Sequence, residues 1–135
     1  MNPTTLRTVA EKLQVASIGS RELDAECARA LGWKDIQSID IFNEIGVHPK
    51  RDFPQSLPYW TTSLDASRAL AEELLPEWWI KSRTPMYAGD NMPSYAEISS
   101  LNNGCPVSAH AQTEPLACMA AILLAVAAKI EGEAK

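Results

Sequence analysis

Thr113–Ala128 reads TEPLACMAAILLAVAA, and from Leu116 onward it holds no charged or strongly polar side chain. Thr113 with Pro115 opens a helix that should run to about Ile130, because proline is at home in the first turn, where its missing N–H costs nothing. A helix that is apolar nearly all round must be covered on more than one side. Its cover is either a sheet plus other helices or a second copy of the chain. The apolar run Pro115–Ala128 is shorter than the ~20 residues a bilayer-spanning helix needs, so it reads as a core helix, with no membrane partner.

Upstream, the chain carries three more helices with written ends. Leu6, Val9, Ala10 and Leu13 recur at helical spacing behind Asn2, Pro3 and Thr4, giving a first helix from about residue 4 to residue 15. Ser20 caps a second, lined by Leu23, Cys27, Ala30 and Leu31 and closed by Gly32. Glu22, Asp24 and Glu26 load its early turns with negative charge, as an amino-terminal face in water would; Arg21 belongs to the same solvated set. Thr62 or Ser63 caps a third helix, with Asp65 completing a capping box after Thr62, a buried stripe of Leu64, Leu70, Ala71, Leu74 and Leu75, and Pro76 as the stop.

Between the second and third helices the pattern blurs. Ile36, Ile39, Ile41, Phe42, Ile45 and Val47 fit neither helical nor strand period, so Trp33–Pro58 reads as short strand and loop. Pro49, Pro54 and Pro58 make HPKRDFPQSLP a mobile loop. Trp78, Trp79 and Ile80, then Tyr95, Ala96, Glu97, Ile98 and Ser99, form two antiparallel strands joined by a long loop, and Asn102, Asn103, Gly104 and Pro106 mark another turn. The order lacks the alternation of a doubly wound sheet. It predicts one α+β domain over residues 1–135, a small antiparallel sheet flanked by helices in an α-β-α sandwich.

The 135 residues include 12 Lys and Arg against 17 Asp and Glu, a net charge of -5, and Thr84–Ala128 has no Lys or Arg at all. Proteins that grip a phosphate backbone carry the opposite balance, which excludes duplex nucleic acid as partner. Cys27, Cys105 and Cys118 are an odd set with no CxxC pair, and the amino-terminal residues lack the apolar core of a signal peptide. Reduced thiols in a cytoplasm are expected.

Catalytic and metal motifs are absent from the sequence. There is no GxSxG, no glycine-rich phosphate loop and no HExxH. His110 has no second Cys or His at zinc-ligand spacing, and His48, beside Lys50 and Arg51, reads as a solvated loop residue. No catalytic residue, metal or cofactor is expected. Cys118 reads as a small core residue.

The aromatic residues Trp33, Tyr59, Trp60, Trp78, Trp79, Tyr87 and Tyr95 are the least ordinary feature, with Lys81 and Arg83 just past the tryptophan pair. Most of them should pack in the core, and adjacent Trp78 and Trp79 on a strand must point to opposite faces. A subset at a pocket would stack on a base while the cations take a phosphate. The candidate ligand site is therefore Tyr59, Trp60, Thr61, Thr62 and Ser63 at a loop-to-helix junction, completed by Lys81 and Arg83 if their strand returns toward it.

RELDAECARALGW at Arg21–Trp33, within Leu6–Gly32, resembles the amino-terminal segment of the phage ABA sandwich domain family of small phage and prophage proteins. PYWTTSLDAS at Pro58–Ser67, LPEWW at Leu75–Trp79 and TEPLACMAAILLA are similar to later segments of that family, in the same order. Trp60 stands where the family usually has tyrosine, and Lys34–Leu57 has no good counterpart. The resemblance implies an α-β-α sandwich of phage or prophage origin and brings no catalytic residues. With the absent motifs and acidic charge, it leads to a non-enzymatic accessory protein of the host bacterial cell's cytoplasm. Such a protein would antagonise host defence by sequestering a nucleotide signal or by covering a host protein surface. The alternatives are a small hydrolase or nucleotide-processing enzyme, and a dimeric structural or assembly factor built on the apolar last helix.

Overall fold

The computed structural model of the chain describes residues 1–38, 44–83, 93–100 and 103–133. Ile39, Ile41, Phe42, Tyr87 and Asn102 fall outside them, as does most of the loop after Arg83. The architecture is α+β, with four helices and two three-stranded antiparallel sheets among the described residues.

The helices start and stop where local chemistry demands. In α1 (Pro3–Val15), the Asn2 side chain accepts the Thr4 and Thr5 N–H groups, and Leu6, Val9, Ala10 and Leu13 form the buried stripe. In α2 (Arg21–Ala30), Ser20 accepts from the Leu23 N–H. Its end is a Schellman closure. Gly32 turns left-handed at φ +91°, its N–H donates to the Arg29 carbonyl, and the Trp33 N–H donates to that of Ala28. In α3 (Leu64–Leu74), Ser63 is the cap and its hydroxyl accepts the Ala66 N–H. The expected capping box does not form, because Ser63 rather than Thr62 caps. Ala66 then occupies the box position, and Asp65 is left to meet the helix dipole from the first turn.

The last helix, α4 (Glu114–Glu133), opens on Thr113, which accepts the Leu116 N–H. Over Glu114–Gly132 it is long and apolar enough to cross a membrane, yet 61% of that window is buried in the protein. Leu116, Met119, Ile122 and Leu123 have no exposure, and Val126 has 4%. The helix lies between α1 and the sheet strands β5 and β6, with α3 alongside. Its many alanines let these neighbours approach closely, and its Leu116–Leu123 stretch is buried within one chain.

The region Trp33–Pro58 forms the first sheet, in order β1 (Lys34–Ser38), β2 (Glu44–Val47), β3 (Pro54–Ser56). The proline-rich stretch is therefore partly strand: Pro54 pairs with Val47 and Ser56 with Ile45. Pro54 is tolerated because β3 is an edge strand and Pro54 its first residue. The second sheet has the order β4 (Trp78–Arg83), β5 (Ser94–Ser100), β6 (Asn103–Ala111). The expected single sheet is thus two, and β6 runs where a turn was expected. Pro106 and the small residues around it hide a strand signal. The strand tolerates them because it too is an edge and its register with β5 shifts between Ile98 and Ser100.

Candidate ligand-binding face

Strand β4 alternates strictly. Trp78, Ile80 and Ser82 turn inward, with Trp78 and Ile80 packed against the core, and Trp79, Lys81 and Arg83 turn outward. The register extends that outer face across the sheet: Lys81 is opposite Glu97, Arg83 opposite Tyr95, Tyr95 opposite His110, and Glu97 opposite Ser108. Helix α4 packs on the inner side, where Ala96, Ile98 and Ala109 are buried. On the outer side Trp79 is 46% exposed, and Lys81, Arg83, Ser108 and His110 are open to solvent.

The groups on this face are mutually arranged. The Lys81 ammonium lies 5.6 Å from the Trp79 ring and 3.0 Å from Glu97 Oε2. Glu97 Oε1 accepts from the Tyr95 hydroxyl at 3.2 Å. The Tyr95 ring lies 5.7 Å from the Arg83 guanidinium and 5.1 Å from the His110 ring. Both oxygens of Glu97 are thus occupied, and among the described residues Arg83 meets no carboxylate. The face combines the half-exposed Trp79 ring and the partly buried Tyr95 ring with the exposed Arg83, in a chain whose overall charge is negative.

The PYWTTS segment has a different role. Trp60 is only 2% exposed and meets Trp33 edge-to-face at 5.7 Å, so its ring faces are filled by core and it cannot stack on a ligand from solvent. Thr61 is buried, with its N–H and hydroxyl both donating to Asp24 Oδ1 at 2.9 and 2.7 Å. Tyr59 is exposed but lies against Arg21, whose guanidinium is 3.9 Å from the ring centre. Ser63 is spent on the cap, and Thr62 is exposed. Lys81 and Arg83 belong to the sheet face described above.

Arg21 and Asp24, read as solvated, face inward instead. Asp24 has no exposure, and its Oδ2 accepts from Arg21 at 2.7 Å. Arg21 also donates to the Leu57 and Pro58 carbonyls at 2.9 and 3.2 Å, which ties the start of α2 to the junction before α3. Gly19 completes the joint, since a Cβ there would lie 2.0 Å from the Thr61 carbonyl oxygen. A signal was present: Asp24 precedes Cys27, Ala28 and Leu31 by three, four and seven residues, the spacing of the buried stripe.

His48, read as a solvated loop residue, is buried instead. It is 9% exposed, packs against Trp33 at 5.2 Å, and lines a cavity of about 180 Å³ with Trp60, Arg51, Gln55 and Glu73. Its Nδ1 accepts the Lys50 N–H at 3.0 Å, which requires a lone pair there and puts the ring proton on Nε2, 2.5 Å from Glu73 Oε1. Both ring nitrogens are thus engaged within the chain. Burial pushes the Cys27 thiol well above its ordinary range, with Asp24 and Glu26 adding to the effect, and desolvation likewise raises Cys118. Neither is poised as a thiolate nucleophile. Among the described residues no cluster of three His, Cys, Asp or Glu could hold a metal ion.

No family model matches this chain, and no curated protein or solved structure matches it either.

Proposed function

We propose that this protein is a non-enzymatic binding protein of phage or prophage origin that sequesters a nucleotide signal in the bacterial cytoplasm. One observation carries the reading: Trp79, Tyr95, Lys81, Arg83 and His110 share an open sheet face. An aromatic ring presented to solvent stacks on any base, for about 1 to 3 kcal/mol. Arg83, beside the Tyr95 ring, supplies planar donors suited to a phosphate. Relative to the site read from sequence, Lys81 and Arg83 remain, while Trp79 and Tyr95 replace Tyr59 and Trp60 as the stacking groups. The phage setting rests on the sequence resemblance alone.

The binding reading is favoured over the hydrolase because His48 and the two buried thiols are engaged or desolvated. The second route, covering a basic host protein surface, draws its support from the net charge of -5. Incubating the protein with purine nucleotides and cyclic dinucleotides, separating it from free ligand, and heating it distinguishes these readings. Intact release of the nucleotide is the expected result. Release of a converted product means an enzyme, and absence of uptake overturns the nucleotide reading in favour of a protein partner.

A further inference from the structure

The two edges of the second sheet are built differently. At β6, Pro106 lacks an N–H and the register with β5 slips, which blunts that edge against further pairing. At β4 the register with β5 runs unbroken from Trp78↔Ser100 to Arg83↔Tyr95, with no proline and no bulge. Among the described residues no strand lies on the other side of β4. Lys81 alternates to the outer face with Trp79 and Arg83, out of the plane of the ladder. Between this edge and α3 lies a groove of about 490 Å³ lined by Arg68, Glu72, Pro76, Trp78, Trp79 and Ile80.

We propose that β4 pairs antiparallel with β4 of a second copy, joining two sheets into one of six strands, with Ile80 opposite Ile80 of the partner subunit. The segment WWIKSR selects this occupant and this register. Directly opposed residues in an antiparallel pair share a face, so a two-fold pairing must centre on a residue and not between two. Centring on Lys81 sets like charges against each other, which is destabilising. Centring on Trp79 pairs only the start of the strand. Centring on Ile80 pairs five residues, sets Ile80 against its own copy on the inner face, and puts each Trp79 opposite Lys81 of the partner subunit. That last contact occurs twice and repeats across the interface the cation–aromatic neighbour that Trp79 already has within its own chain. The pairing also makes the two outer faces continuous. It does not depend on what those faces bind.

Sedimentation equilibrium over micromolar concentrations should give twice the mass of one chain; a monomer throughout overturns the proposal. Register is read by oxidative cross-linking from outward positions, which spares the fold. A mixture of Trp79→Cys and Lys81→Cys proteins should form a covalent heterodimer, while neither alone should cross-link beyond the wild-type chain with its native cysteines. Cross-linking of Lys81→Cys with itself, or a dimer in which the mixture does not cross-link, overturns the β4 pairing.

Discussion

Two stretches of this chain set aromatic rings beside cations, and the fold uses them in opposite ways. At the junction before α3, Tyr59, next to the buried Trp60, meets Arg21; on β4, Trp79 meets Lys81, and Arg83 lies beside Tyr95. The first cation is bound by a fully buried carboxylate and two backbone carbonyls, and the neighbouring indole is sealed against Trp33. The second group stands on an open sheet face. The residue types are the same, so the full burial of Asp24 and Trp60, against a sheet face that no helix covers among the described residues, decides which set is structural and which can meet a ligand.

The largest effects should come from breaking the buried half. Trp60→Ala should cost about 3 to 5 kcal/mol in urea unfolding, the range for losing a large aromatic core side chain, whereas Trp79→Ala, which gives up only cation–aromatic neighbours, should cost about 1 kcal/mol. Equal losses for the two would erase the contrast. Asp24→Ala strands the Arg21 guanidinium without its carboxylate and should also cost about 3 to 5 kcal/mol. The double variant with Arg21→Met should recover part of that loss in the same measurement.

Gly19→Ala forces the Thr61 carbonyl away from α2 and should cost about 1 to 3 kcal/mol, the range for overpacking; a thermal melt unchanged from the parent would show that the joint can give. On the open face, Trp79→Ala should weaken nucleotide uptake by about 1 to 3 kcal/mol with the fold intact. Arg83→Ala should weaken it most at low salt, and both are read by calorimetric titration. Lys81→Ala removes an ion pair that is largely exposed at Lys81 and should change stability by no more than about 1 kcal/mol, less at high salt.

Much of this architecture was legible because it is local. Ser20, Ser63, Gly32 and Pro76 are chemical signals that need no tertiary context, and the strands around Trp78 and Ile98 announce themselves by alternation. Strand β6 was not legible: Pro106 and a run of glycine, serine and alanine look like a turn until β5 supplies the ladder. The burial of His48 was hidden for a related reason, since its partner Glu73 lies on α3, 25 residues away. Lys81 and Arg83 were grouped with Tyr59 and Trp60, whereas the structure sets them beside Trp79 and Tyr95.

By itself the sequence determined the four helices, the opposite orientations of Trp78 and Trp79, the α+β class and the acidic charge, because capping, periodicity and composition act over a few residues. Only the tertiary structure decided that the strands form two sheets and that Asp24 and His48 turn inward. It alone separated Trp60, as core, from Trp79, as surface. Burial is a property of what packs against a residue, and the groups that cover Trp60 and leave Trp79 open come from segments far away in the chain.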